Sequence, residues 1–166
     1  EQADENASFV LLSDVHLDDA KVRSKLELLL RGCRDNMEQI PSLFVLMGNF
    51  TERSFGESDD QCGAQEFRQH LWEMAEILLK FPEILRESHF VFVPGPNDPG
   101  DMGLLPRGSL PKFFVDPVIK HVQKQAPGAK LTFASNPCRI KYFSQELVLI
   151  RNDLLSKMRR HSINEP

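Results

Sequence analysis

The chain has few of the features that mark secreted, membrane-spanning or zinc-bound proteins. It contains three cysteines, Cys33, Cys62 and Cys138. Their odd number and wide spacing fit neither a disulfide framework nor a C-x-x-C zinc site, so we expect reduced thiols, as in the cytosol or the nucleus. No apolar run approaches the roughly 18 residues of a membrane span, and there is no signal-peptide core. The sequence therefore predicts no membrane association.

An excess of positive charge is also lacking. The formal net charge is -4 at pH 7, so the chain as a whole produces no field that attracts phosphate backbones. A basic group at Lys157, Arg159, Arg160 and His161 fits either a nucleic-acid contact or a solvated helix end. We expect any DNA contact to be weak or indirect.

The chain does have enough apolar sequence for one core. Of its 166 residues, 41% are hydrophobic, which suits a single domain. We predict a mobile N-terminal end at residues 1–7 and one domain at residues 8–166. Because residue 1 is Glu rather than Met, we expect a piece of a longer protein.

Three apolar runs predict strands. They lie at residues 8–12, 43–47 and 90–93, and the first has the composition of a strand buried on both faces. Amphipathic segments lie between them. The order strand, helix, strand, helix, strand implies parallel pairing with right-handed crossovers, which is the α/β fold class.

The two intervening helices are predicted from apolar residues at spacings of three and four. The first would be capped by Asp18 or Asp19 and extends to Cys33. The second covers residues 64–78 and ends before Pro82, because a proline disfavours helical geometry in its predecessor.

The remaining segments predict loops, one short helix and a hairpin. Residues 49–63 are polar and 94–111 are rich in proline and glycine, so both are predicted loops. Residues 116–125 predict a short helix. Three more strands are predicted at 131–134, 139–143 and 147–151, and the last two form a hairpin joined by residues 144–146.

Polar residues follow the first three strands in the pattern of a two-metal phosphoesterase. Asp14-Val15-His16 matches its D-x-H motif. Gly48-Asn49 stands where the enzyme has G-D, and Gly95-Pro96-Asn97-Asp98 stands where it has G-N-H-[D/E]. Because sites in parallel sheets form beyond the carboxyl ends of the strands, we expect Asp14, His16, Asn49 and Asn97 to lie near one another.

Each departure from the enzyme pattern removes a chemical group. Two dications about 3.5 to 4 Å apart need an anionic bridge, and Asn49 supplies only a neutral amide. Pro96 has no donor atom, and Asn97 cannot act as an acid near neutral pH. Downstream, only His121 and His161 remain as histidines, neither in a G-H-x-H context. We therefore predict no catalytic residue, no metal and no cofactor.

Two roles remain open for the motif residues. Asp14 and His16 can hold one weak cation, or they can hydrogen-bond the loop backbone. Asn97 and Asp98, followed by Pro99 and Gly100, have turn chemistry, because Asn and Asp bond their own backbone. The structural role is favoured in both cases.

Several long strings carry a family resemblance. FVLLSDVHL at 9–17, FVFVPGPNDPG at 90–100, NPCRI at 136–140 and RNDLLSKM at 151–158 resemble the B subunits of eukaryotic replicative DNA polymerases, which are inactive members of the calcineurin-like phosphoesterase superfamily. The resemblance covers nearly the whole chain. It implies a layered α/β/β/α phosphoesterase fold, catalytically degenerate and C-terminally truncated, with an OB-fold domain upstream and final strands that are absent here.

The resemblance also implies a function. Such a subunit is a nuclear, non-catalytic accessory protein that binds the zinc-bearing C-terminal region of the polymerase catalytic subunit, together with other holoenzyme and replisome subunits, in replication and repair. The alternative is an active or residually metal-binding metallophosphoesterase.

A site without catalysis leaves its loops free for protein contacts. Exposed apolar residues flanked by polar ones mark such surfaces, and the paired strands offer a rigid alternative. The candidate partner contacts are Phe55, Met102, Leu104 and Leu105 in the loops, and Arg139, Lys141 and Arg151 on the strands.

Overall fold

A computed structural model describes residues 7–36, 38–56, 60–100 and 105–160. Strands and helices alternate through most of the chain. In order, the elements are β1 (Phe9–Leu12), α1 (Ala20–Asn36), β2 (Leu43–Met47), α2 (Asp60–Leu79), α3 (Pro82–Glu87), β3 (His89–Val93), α4 (Lys112–Gln125), β4 (Lys130–Phe133), β5 (Cys138–Tyr142), β6 (Gln145–Leu149) and α5 (Leu154–Arg160).

The strands form two sheets. The larger has the order β1-β2-β3-β4, and all its neighbours are parallel. The predicted α/β class and parallel pairing are thus confirmed. Strands β5 and β6 form a separate antiparallel hairpin, as predicted, while β4 joins the parallel sheet.

Helices cover one face of the parallel sheet. Phe44 and Phe90 stack there with ring centroids 4.9 Å apart, against a buried cluster that includes Leu30, Leu71 and Met74. Burying one such side chain stabilises the fold by about 1.5 to 3 kcal/mol. This cluster is the main core of the described residues.

The hairpin covers the opposite face. Val45, Val91 and Leu149 pack in a second cluster, joined by the partly buried Ile140 and Tyr142. Strand β2 is therefore buried along its whole length. The layers in the described part of the chain are helix, sheet and hairpin; the second helical layer of the α/β/β/α expectation is not seen there.

The first strand differs from its prediction. Phe9 and Leu11 are 45% and 48% exposed, although β1 was expected to be buried on both faces. The reason is position, because β1 lies at the sheet edge and the second cluster is built on β2 and β3. From the hairpin, Tyr142 contacts the Phe9 ring edge-on, with ring centroids 5.5 Å apart.

Helix boundaries also differ from the sequence prediction. Helix α2 begins at Asp60 and α4 at Lys112, before the predicted starts at residues 64 and 116. Pro82 does not only end a helix; it occupies the first turn of the unpredicted α3, where a missing N–H costs little. At the start of α1, Asp19 is the cap, since its Oδ1 accepts from Lys21 N at 2.7 Å.

The hairpin turn is shorter than predicted. Tyr142 pairs with Gln145, so Phe143 and Ser144 alone form the turn. Phe143 has φ 52°, a left-handed conformation that is uncommon for a bulky residue. The polar composition of residues 144–146 predicts the turn there instead, because a phenylalanine is not a typical turn residue.

No helix in the described residues is long and apolar enough to cross a membrane.

Candidate functional site

The loops that follow β1, β2 and β3 meet at the carboxyl edge of the parallel sheet. Asn49 N donates to Asp14 Oδ1 at 3.4 Å, and Asn97 N donates to Asn49 Oδ1 at 2.9 Å. His16 Nε2 lies 3.8 Å from Asp14 Oδ1. The structure thus brings together the motif residues that the parallel order predicts to be neighbours.

Two glycines allow this close approach. A Cβ on Gly48 would lie 1.9 Å from Asp98 Oδ2 and 2.5 Å from Gly95 N. A Cβ on Gly95 would lie 2.4 Å from Asn49 Oδ1. No side chain fits at either position, so the glycines of both motifs are explained by loop packing, without reference to chemistry.

Asp98 fixes the third loop to the second. Its side chain is fully buried, Oδ1 accepts from Phe50 N at 2.7 Å, and Oδ2 accepts from Gly95 N at 2.7 Å. Burial raises the pKa of Asp98 to about 6, opposed by these two hydrogen bonds and by the charges of Arg107 and Arg151. The hydrogen bond from Gly95 N lies within the turn, as the Asn-Asp turn pattern predicts, and the hydrogen bond from Phe50 N joins this loop to the loop after β2.

Asn49 and Phe50 are themselves buried, although the sequence predicts an exposed loop from residue 49 onwards.

The Arg107 side chain donates hydrogen bonds to the backbone of the same loop. It is buried, and its guanidinium donates to the carbonyl oxygens of Gly95, Asp98 and Pro99, the last two at 2.8 and 3.0 Å. Sequence reasoning assigned Arg107 no role. The available signal was an arginine within the Pro/Gly-rich segment at residues 94–111, because the backbone carbonyl groups of such a segment need hydrogen-bond donors.

Arg151 lies in the site and not on the surface where it was predicted. Its side chain is 13% exposed, with Nη2 2.5 Å from Asp14 Oδ1. Nε donates to Gly48 O at 2.8 Å. Arg151 follows the end of β6, where its side chain contacts Asp14 and Gly48; a role in partner binding stays a prediction.

Asn136 holds the backbone of Arg151 in place. Arg151 N donates to Asn136 Oδ1 at 3.0 Å, and Asn136 Nδ2 donates to Arg151 O at 2.6 Å and to Pro94 O at 2.8 Å. Asn136 also exchanges two backbone hydrogen bonds with Arg107. It is fully buried, which makes it a second structural residue that sequence reasoning missed, although it opens the NPCRI string.

The donor set does not fit a two-metal centre. Asn49 Oδ1 already accepts from Asn97 N, and both oxygens of Asp98 accept backbone N–H groups. Among the described residues, no group of three or more His, Cys, Asp or Glu side chains could hold a metal ion. His121 pairs with Glu76 at 2.6 Å on the helical layer, and His161 lies outside the described residues.

The predicted partner contacts fall into different environments. Phe55, expected to be exposed, is half-buried against Phe67 and Phe114, with edge contacts at 6.2 and 5.8 Å. Leu105 is exposed. Met102 and Leu104 lie outside the described residues.

The strand contacts other than Arg151 are on the surface. Arg139 donates to Glu146 at 3.0 Å, with both side chains largely exposed. Lys141 is exposed two residues further along β5. The part that Leu105, Arg139 and Lys141 play in partner binding stays a prediction.

Comparison with known proteins defines the family. Residues 9–166 match the model of the family of B subunits of DNA polymerases alpha and epsilon. The match covers nearly all of the sequence, so this chain belongs to the B-subunit family.

Individual relatives narrow the resemblance to the epsilon branch. The chain is 39% identical over 165 residues to the DNA polymerase epsilon B subunit of Arabidopsis thaliana and 36% identical over 166 residues to DNA polymerase epsilon subunit 2 of Homo sapiens. It is 41% identical over 160 residues to the probable DNA polymerase epsilon subunit 2 of Caenorhabditis elegans. The alignments cover 97%, 100% and 96% of this chain, but only 29%, 29% and 27% of the relatives.

Proposed function

We propose that residues 8–166 are part of a calcineurin-like phosphoesterase domain that serves DNA polymerase epsilon as a non-catalytic accessory subunit in nuclear DNA replication and repair. The observation that carries this proposal is the hydrogen bonding of the motif residues at the carboxyl edge of the sheet. Asp14, Asn49 and Asp98 all use their oxygens on groups of the chain itself. The membership of the chain in the B-subunit family also supports an accessory role in a DNA polymerase.

The donor set supports the proposed absence of catalysis. A phosphodiesterase of this type needs a bridging carboxylate and a histidine near the leaving group. Here those positions are Asn49 and Asn97, and the intervening ligand position is Pro96. We expect no manganese-dependent hydrolysis of an aryl phosphodiester. Turnover that disappears in Asp14→Ala would contradict this and favour the metallophosphoesterase alternative.

The partner surface is proposed to lie on the hairpin and the helix after it. Arg139 and Lys141 project from β5, and Val148 and Leu155 are 58% and 72% exposed. Apolar residues bordered by charge are typical of protein contact surfaces. We propose the C-terminal region of the polymerase epsilon catalytic subunit as the partner, with other holoenzyme and replisome subunits in the same assembly. DNA contact is indirect or weak.

Co-purification of the complete subunit with that C-terminal region tests the proposal. Arg139→Glu combined with Lys141→Glu should reduce the recovered complex. Lys120→Glu with Lys124→Glu is the matched control, because it makes the same charge change on α4, in the opposite layer. Equal recovery for the two double variants and the wild type would place the partner surface outside the hairpin.

A further inference from the structure

We propose that the Arg151 guanidinium is a built-in cation that occupies the place of a metal ion beside Asp14 and so excludes divalent cations from this site. The inference concerns the site's ion chemistry and does not depend on the proposed partner. Its basis is the disagreement between a motif typical of metal binding and the contacts that its residues make.

Arg151 takes the oxygens that a divalent cation would use. Its Nη2 contacts the Asp14 carboxylate at 2.5 Å, and its Nε bonds the Gly48 carbonyl at 2.8 Å. Carboxylate and carbonyl oxygens are ligands that hard divalent cations prefer. A dication at the same oxygens would have to displace a permanently charged group and remain close to its charge.

The guanidinium is held there in advance. Asn136 brackets the Arg151 backbone through Oδ1 at 3.0 Å and Nδ2 at 2.6 Å. Asn136 is fully buried and also bonds Pro94 O. The backbone from which the guanidinium extends is thus fixed by hydrogen bonds to a buried side chain, which lowers the entropic cost of holding its charge beside Asp14.

Removal of Arg151 would leave a partial site. Asp14 Oδ1, the Gly48 carbonyl and His16 Nε2, which lies 3.8 Å from Asp14 Oδ1, could then serve one ion. Asn49 Oδ1 stays engaged by Asn97 N, and its neutral amide does not bridge a second ion. The expected result is one weak site for an ion that accepts both nitrogen and oxygen ligands, such as Mn²⁺.

Manganese titration of the purified protein tests the inference, with electron paramagnetic resonance of free Mn²⁺ as the readout. Arg151→Met keeps most of the apolar stem and removes the charge. We expect it to bind one Mn²⁺ at least about tenfold more tightly than the wild type. The double variant Arg151→Met with Asp14→Asn should lose that site, and Arg151→Lys should keep the wild-type exclusion because it keeps a cation.

Two outcomes would overturn the inference. One is wild-type protein that binds Mn²⁺ as tightly as folded Arg151→Met; the other is folded Arg151→Met without a new site. Circular dichroism establishes folding. If Arg151→Met does not fold, Arg151→Gln replaces it with a side chain that can still donate to the Gly48 carbonyl, and the same two outcomes apply.

Discussion

The carboxyl edge of the parallel sheet and the outer face of the hairpin differ in how their side chains are satisfied. At the edge, buried polar groups such as Asp98, Arg107 and Asn136 have their partners within the chain. Around the hairpin and α5, large apolar side chains are exposed, including Val148, Ile150, Leu154, Leu155 and Met158. In the first region these buried polar side chains make hydrogen bonds within the chain, whereas the second region exposes apolar side chains to solvent.

The contrast separates residues that join the loops of the sheet edge from residues that remain available for contacts outside the chain. An enzyme must leave ligand oxygens free for metal and substrate, at a cost in stability. Here the same positions bond each other, so they contribute to rigidity. The exposed apolar side chains lie instead on the surface near β6, where we propose the partner contact.

The largest effect is expected from closing the space between the motif loops. Gly48→Ala should lower the free energy of unfolding by about 3 kcal/mol or more, because its Cβ would overlap Asp98 Oδ2 and the backbone N of Gly95. Urea denaturation measures this. Gly32→Ala is the matched control: nothing lies within 4 Å of its Cβ in α1, so a gain of roughly 0.5 to 1 kcal/mol is expected. An unchanged free energy of unfolding in Gly48→Ala would contradict the close contact between the loops.

Loss of the buried guanidinium of Arg107 should come next. Arg107→Met leaves the carbonyls of Asp98 and Pro99 without their donor. We expect a loss of about 2 to 4 kcal/mol in the free energy of unfolding. The exposed Arg139→Met, with the same chemical change on the hairpin, should cost less than about 0.5 kcal/mol. Similar losses for both variants would remove the distinction between the two regions.

The buried carboxyl of Asp98 predicts a pH dependence. Its folded-state pKa is raised from 3.8 to about 6, so the folded protein holds this proton more tightly than the unfolded chain. The contribution to stability is therefore full below pH 3.8 and is lost as the pH rises through about 6. It amounts to about 2 to 3 kcal/mol.

Paired unfolding measurements isolate this contribution. The difference in free energy of unfolding between wild type and Asp98→Asn should become less favourable to the wild type from about pH 4 to about pH 8. Asp98→Asn also replaces an acceptor by an N–H donor beside Phe50 N or Gly95 N, which costs about 1 to 3 kcal/mol at every pH. A difference that does not change with pH would show that Asp98 keeps an ordinary pKa.

The smallest effect on stability is expected on the open surface. Val148→Thr with Leu155→Gln changes two largely exposed side chains and should shift the free energy of unfolding by no more than about 0.5 kcal/mol. The same variant should weaken recovery of the polymerase complex in the complete subunit. If the double variant lost stability but recovered as much of the complex as the wild type, these residues would be part of the fold and not of a partner surface.

The sequence predicts the fold best where burial is uniform. Strand β2 has the predicted bounds of Leu43–Met47, because a segment buried on both faces has an unbroken apolar pattern. Strand β1 has a similar composition but lies at the edge with alternate residues exposed. Composition does not distinguish an edge strand from a central one, since the difference depends on neighbours distant in sequence.

The site is predictable only in part for a related reason. The parallel order alone places Asp14, Asn49 and Asn97 at one edge. The roles of Arg107, Asn136 and Arg151 depend on partners that no local pattern specifies. Arg151 meets a carboxylate 137 residues earlier in the chain, and nothing in the sequence around either residue indicates that pair.

That long separation also sets an order of events during synthesis. The Asp14 carboxylate emerges from the ribosome together with β1, and its guanidinium partner emerges 137 residues later. At roughly 5 to 20 residues per second, several seconds to half a minute pass before the pair can form. Its closure must follow synthesis of the hairpin, because Arg151 comes after β6 in the chain. The motif edge is thus assembled from segments made throughout synthesis of these residues, and its ion pair between Asp14 and Arg151 cannot form until Arg151 has been made.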